Sequence, residues 1–172
     1  TRAIRDFIGD LSTWYLRRSR ERVKDETSQP ASAQGYGEAR ATLYFVLKNL
    51  VKIMAPFTPF TAEDVWLKLR NTKDEESVHL AGWPKLGKAN KKIIEHMATV
   101  RHIVSLGLEA RQKAKIQVRQ PLAELKFKLE SKKLSHEYLD LIKDELNVKE
   151  VVRDENIESE VELDIDITPA LK

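Results

Sequence analysis

The stretch "DLSTWYLRRSRERVK", Asp10–Lys24, begins as an amphipathic helix and ends in arginine. Ile4, Phe7, Ile8, Leu11 and Tyr15 recur at spacings of three and four, which puts them on one face of a helix. Continued at the same spacing, that face next presents Arg18 and Arg22. Arg17 and Arg20 point about half a turn away. Two readings follow. Either the helix outruns its core and the stripe becomes a surface offered to a polyanion, or Trp14 and Tyr15 stay in the core and the arginines pair with acids elsewhere.

The pattern downstream is helical for most of the chain. The first helix is expected over about residues 2–26, followed by a loop in "TSQPASAQGYG", which supplies Pro, two Gly and small polar residues. A second helix is expected over about 38–54, with Ala39, Leu43, Val46, Leu47, Leu50 and Met54 as its main stripe. Phe45, Val51 and Ile53 are also apolar, as in a helix at the centre of a bundle. In "APFTPFTAEDVW", Thr58 then Pro59 reads as N-cap and first helical residue, and Thr61 with Asp64 also matches a capping box. That third helix places Phe60, Val65, Trp66 and Leu69 inward and ends near Arg70. A polar connection anchored by Leu80 and Trp83-Pro84 leads to a fourth helix over about 91–115, striped by Ile93, Met97, Val100, Val104 and Leu108. Gly107 either permits close helix approach or merely weakens this helix.

After Pro121 the period changes from 3.6 to 2. Leu125–Leu129 alternates as a strand, "SHEYLDLIKDELN" is a helix with Asn147 at its C-cap, and "VKEVVRD" and "VELDIDIT" are strands. The expected fold is mainly α: a helical bundle over 1–118, then a small α+β appendage over 119–172 in the order β-α-β-β.

The net charge of +3 conceals an asymmetry. Residues 1–24 carry seven basic and three acidic side chains, residues 111–133 eight and two, and residues 137–166 three and twelve. Two basic blocks and one acidic block suit a polyanion on one face only, although solvated helix faces give the same count. No apolar run approaches a membrane span and no signal-peptide pattern is present. With no cysteine, disulfides and thiolate metal sites are excluded, in keeping with the cytoplasm. The chain opens without methionine inside a helical pattern, as a piece of a longer protein would.

No glycine-rich phosphate loop or catalytic constellation is recognisable. His79, His96, His102 and His136 are scattered, and His96 and His102 are too far apart round their helix to share a metal. The strongest local signal is Trp14, Tyr15, Arg17, Arg18, Arg20 and Arg22 within nine residues. Single-stranded RNA is held by Arg and Lys on its phosphates and by rings or guanidinium planes under its bases, so this cluster suits RNA.

The ordered set "DLSTWYLRRSRERV", "LVKIMAPFTPFTAEDVW", "SVHLAGWP", "GLEARQKAKIQVRQPL" and "ELNVKEV" resembles the C-terminal part of the class I isoleucyl-tRNA synthetases, over nearly the whole chain. The resemblance implies a class I anticodon-binding bundle followed by a small α/β junction domain. It implies a parent enzyme that ligates isoleucine to tRNA(Ile) with ATP and Mg in a catalytic domain. The family's HIGH and KMSKS signatures are absent here, so the fragment is expected to be inactive and to hold no cofactor. A cysteine-bound zinc module, where the family has one, lies beyond Lys172 or is absent. The expected partners are tRNA(Ile) and the remainder of the same polypeptide, with no membrane, as a cytoplasmic monomer. Residue by residue, Trp14, Arg17, Arg20 and Arg22 take the positions of the family's Trp-Tyr-x-Arg-x-x-Arg-x-Arg run, and Arg18 adds a further basic residue. These are the implied tRNA contacts. Arg111, Lys113, Lys115 and Arg119 form a weaker tRNA-binding set, and Trp66 and Trp83 are read as packing anchors. The valyl and leucyl enzymes, which carry relatives of "APFTPFTAEDVW", and a helical protein-interaction module are the alternatives.

Overall fold

The computed structural model describes residues 2–24, 30–85, 87–128 and 134–166. It is mainly helical with one three-stranded sheet. By packing, the chain divides into two compact units, Thr1–Gly87 and Lys88–Lys172. The period of the sequence changes near residue 118, yet the packing boundary comes before the fourth helix. The reason is that this helix buries its apolar face against the α+β elements that follow it.

The first unit contains a continuous helix made of α1 (Arg2–Asp10), a π-helical stretch (Leu11–Leu16) and α2 (Arg17–Lys24). Helix α3 (Pro30–Met54) begins well before the expected Glu38 and includes Gly35 and Gly37. Pro30 at the first helical position has no N–H to leave unsatisfied, so proline here opens a helix where a loop was expected. The rest of that expected loop, 27–29, and the last two residues of the expected first helix, 25–26, lie outside the described residues. Helix α4 (Pro59–Leu69) starts as the Thr58-Pro59 reading has it and stops at Arg70, whose backbone turns extended.

The core of this unit is Val51, Ala55, Ala62, Trp66 and Val78, with Met54, Val65 and Ala81 packed on its edge. Trp66 is 1% exposed, and its Nε1 donates to the Glu75 carbonyl at 3.0 Å. Lys48 and Lys52 place their ammonium groups 5.7 and 5.4 Å from its ring centre. Glu63 Oε2 accepts from Ser77 Oγ and from the Val78 amide, both at 2.9 Å, and so seats Val78 in the core. Asp74 joins Lys48 to the Asn71 amide, which, together with the lysine, holds its carboxyl below the usual carboxylate range. Trp83, read as an anchor, is 68% exposed, as are Leu80 and Phe60 at 67% and 90%. Val78 takes the place expected of Leu80 and Trp83. Phe60 lies on the face of α4 opposite to Ala62 and Trp66, so of the four residues expected inward Phe60 alone is turned out, while Trp66 is buried and Val65 and Leu69 are half-buried.

In the second unit Asn90 caps α5 (Lys91–Lys113), its Oδ1 accepting from the Ile93 amide at 3.3 Å. Strand β1 (Leu122–Phe127) is central, with β2 (Val148–Arg153) parallel to it and β3 (Val161–Leu163) antiparallel. A parallel pair needs a crossover, and α6 (His136–Leu146) supplies it. Leu122, Leu125 and Phe127 are buried with Ile142, Leu146, Val148 and Leu163. Strand β3 ends at Leu163, earlier than the alternation suggests; Ile165 is exposed, and Leu129, Ile167 and Thr168 lie outside the described residues. On α5 the buried face is His96, Val100, Ile103, Val104, Gly107 and Arg111, while Ile93 is exposed.

Gly107 is where α5 meets α6. A Cβ built there would lie 2.5 Å from Cδ1 of Leu146, which is fully buried. Helix propensity alone favours Gly107→Ala by about 1 kcal/mol. Overpacking against Leu146 opposes it, and we expect a net loss of about 1–2 kcal/mol. Urea denaturation of the variant checks the sign.

Candidate nucleic-acid interface

The structure answers the question set by the first helix. Asp10 and Arg17, on either side of the π-helical stretch, both have ordinary helical dihedrals, so the helix does not stop. It is widened for one turn instead. One residue inserted into an α-helix rotates everything after it by about 100°. The stripe of Ile4, Leu11 and Tyr15 therefore continues not through Arg18 and Arg22 but through Ser19, 1% exposed, and Val23, half-buried.

Side chains take up carbonyls around the widened turn. Thr13 Oγ1 donates to the Gly9 carbonyl and Arg17 Nε to the Thr13 carbonyl, both at 2.8 Å. The buried side then packs on α3. Tyr15 donates its hydroxyl to the Ala39 carbonyl at 3.1 Å, and Arg40 Nε reaches the Val23 carbonyl at 3.0 Å. Small Ser19 and Ala39 are both buried there.

The rotation sorts the arginines. Arg17, Arg20 and Arg22 are exposed and Arg18 is half-buried; Arg17 and Arg18 both have partners within the chain. Arg22 Nη2 donates to Ser19 Oγ at 2.9 Å, which ties its side chain to the helix. Leu16, Arg17, Arg20 and Val23 line a shallow groove. Trp14 is half-buried. Planar cations beside an aliphatic wall can hold a phosphate and lie against a base.

The weaker set does not stay together. Arg111 is 1% exposed. Its Nη1 donates to the carbonyls of Gln117 and Gln120 at 3.1 and 3.0 Å, and its Nη2 to those of Leu146 and Asn147 at 2.6 and 3.1 Å. Burial lowers its pKa, and its Nε has no partner among the described residues. Such a guanidinium is closed to RNA; it is a staple of the fold. Lys113 is exposed and paired with Glu109 at 2.8 Å, a bond that draws the Glu109 carboxyl down. Lys115 and Arg119 are exposed. Asn147, legible in the sequence only as a helix cap, also donates from Nδ2 to the carbonyls of Val118 and Arg119 at 2.9 and 3.1 Å. Among the described residues no group of three His, Cys, Asp or Glu could hold a metal ion, and no helix is long and apolar enough to cross a membrane.

Residues 1–129 match the family model of the anticodon-binding domain of tRNA ligase. The chain belongs to that family. The match runs from the first helix through β1 and so includes the whole of the first basic block and residues 111–129 of the second. Among curated relatives, the isoleucine–tRNA ligase of Chlamydia muridarum is 42% identical over 150 residues, which is 85% of this chain and 14% of the relative. That of Clostridium acetobutylicum is 41% identical over 153 residues, 86% of this chain and 14% of the relative. That of Thermobifida fusca is 44% identical over 124 residues, 71% of this chain and 11% of the relative. The chain thus spans about 14% of the length of the first two of these relatives.

The two kinds of arginine in this anticodon-binding family member should separate in a stability assay. Arg111→Met takes their donor from the carbonyls of Gln120 and Leu146 and a second donor from those of Gln117 and Asn147, which keep the amides of Gln120 and Leu122, and should cost about 3–5 kcal/mol. Arg20→Gln, on the surface, should stay within about 0.5 kcal/mol. Equilibrium denaturation of both variants makes the comparison.

Proposed function

We propose that this chain is the tRNA(Ile) anticodon-region binding part of an isoleucine–tRNA ligase. The observation that carries the reading is the family match over residues 1–129 together with about 40% identity to relatives that all bear the isoleucine enzyme's name. Those names favour isoleucine over the valyl and leucyl alternatives. In this reading residues 1–118 supply the class I anticodon-binding helices, of which α5 is seated on the small junction domain that follows residue 118, and the chain itself catalyses nothing. The whole enzyme ligates isoleucine to tRNA with ATP and Mg in a catalytic domain outside this chain, as a cytoplasmic monomer.

The exposed arginines of α2 do the binding. Arg17, Arg20 and Arg22 offer forked donors to phosphates and base edges, and the half-buried Trp14 and the aliphatic edge of Leu16 and Val23 offer a surface for a splayed base. The widened helical turn supports the reading because it turns guanidinium groups out of the core while the helix stays packed on α3.

The test is a salt titration of tRNA binding to the chain carrying Arg20→Gln and Arg22→Gln. Affinity for tRNA(Ile) should fall, and the slope of log affinity against log salt should flatten by roughly 0.7 for each single-strand phosphate that is no longer neutralised. The melting curve should move little, since surface substitutions stay within about 0.5 kcal/mol. Unchanged affinity and slope would remove the arginines of α2 from the interface.

A further inference from the structure

The connection between α5 and β1 is pinned from within. The carbonyls of four consecutive residues, Gln117, Val118, Arg119 and Gln120, all accept hydrogen bonds from just two side chains, Arg111 and Asn147. In a trans peptide the N–H points opposite to the carbonyl of the preceding residue, and no cis bond is present among the described residues. With the carbonyls of Gln117 and Val118 turned inward, the amides of Val118 and Arg119 face away from Arg111 and Asn147. Among the described residues neither amide donates a hydrogen bond.

The start of the connection is equally fixed. Ile116 N donates to the Arg111 carbonyl at 2.9 Å and Lys115 N to the Gln112 carbonyl at 3.0 Å, the paired bonds of a Schellman ending. Lys115 occupies its left-handed position, with φ 57°, where glycine is usual. A lysine is kept there at the expense of backbone strain. Lys115, Gln117, Val118 and Arg119 are all exposed.

Outward amides in succession, flanked by cations, are the chemistry of an anion-binding concavity. We propose that residues 115–119 form a phosphate-binding element for an RNA backbone. The donors are the side chains of Lys115 and Arg119 and the amides of Val118 and Arg119; Arg111 and Asn147 are positioning residues. The proposal rests on the tRNA-binding reading and adds to it a second contact, built on backbone and point charge. Such contacts carry no base information, so this element strengthens binding to any tRNA and leaves the choice of tRNA to other residues.

The test is a set of salt titrations with the full 172-residue chain and two transcripts, tRNA(Ile) and a tRNA for another amino acid. The variants are K115Q/R119Q, N147G and R20Q/R22Q. With two phosphates no longer neutralised, K115Q/R119Q should lower the salt slope by about 1.4, equally for both transcripts. N147G keeps every charge and suits the left-handed backbone at this position, φ 49°, but frees the Val118 and Arg119 carbonyls. It should lower affinity for both transcripts and flatten the slope part of the way. If R20Q/R22Q flattens the slope while K115Q/R119Q does not, the chain binds tRNA and the loop takes no part, and the proposal is overturned. If neither double variant changes the slope, the tRNA-binding reading falls with it. If N147G lowers only the melting temperature, Asn147 is a helix cap and not a positioning residue.

Discussion

A buried guanidinium without an acidic partner among the described residues holds the second unit together. Arg111 ends α5, and its four hydrogen bonds reach the connection to β1 and the turn from α6 into β2. Burying that charge is costly, and here carbonyl oxygens compensate it. Carbonyls at the end of a helix already carry partial negative charge, so the last turn of α6 is a suitable acceptor. Asn147 completes the arrangement: its backbone turns left-handed to end α6, its side chain takes two more carbonyls, and its own carbonyl also accepts the Leu122 amide at 3.1 Å, which sets the start of β1. The register of β1 against β2 follows, with Leu122 opposite Val148.

The first unit meets a different constraint, the conflict between an apolar stripe and the arginines in its path. An unbroken α-helix would carry Arg18 and Arg22 into the contact with α3. One widened turn replaces them with Ser19 and Val23. The helix keeps its packing, Tyr15 keeps its bond to Ala39, and three guanidinium groups are left at the surface. Binding chemistry and packing thus share one helix because its two halves differ in phase.

Much of this was legible in the residues. The change from period 3.6 to period 2 near Pro121 marked the strands, and Thr58-Pro59 and Asn147 marked helix ends that are present. What was not legible depended on partners distant in sequence. The widened turn follows from packing on α3, and a helical periodicity counted at a fixed 3.6 residues cannot register it. Arg111 lies among exposed lysines in "EARQKAK" and reads as one more surface cation until the carbonyls of Leu146 and Asn147, far along the chain, are brought to it. Trp83 and Phe60 look like anchors because large aromatic residues usually are; the face of α4 was taken by Trp66, and Val78 filled the place beside it. The division of the chain at 87/88 was hidden for the same reason, since the partner surface of α5 lies on elements that follow the change of period.

The most direct measurement is NMR of the isotope-labelled chain titrated with an isoleucine-tRNA anticodon stem-loop, following arginine Nε–Hε and backbone amide signals. The account predicts that Arg20 and Arg22 shift on binding, that the amides of Val118 and Arg119 shift with them, and that the Arg111 signal stays in place because its guanidinium remains on its carbonyls. Shifts confined to α4 and the strands β2 and β3, with Arg20 and Arg22 unmoved, would contradict it.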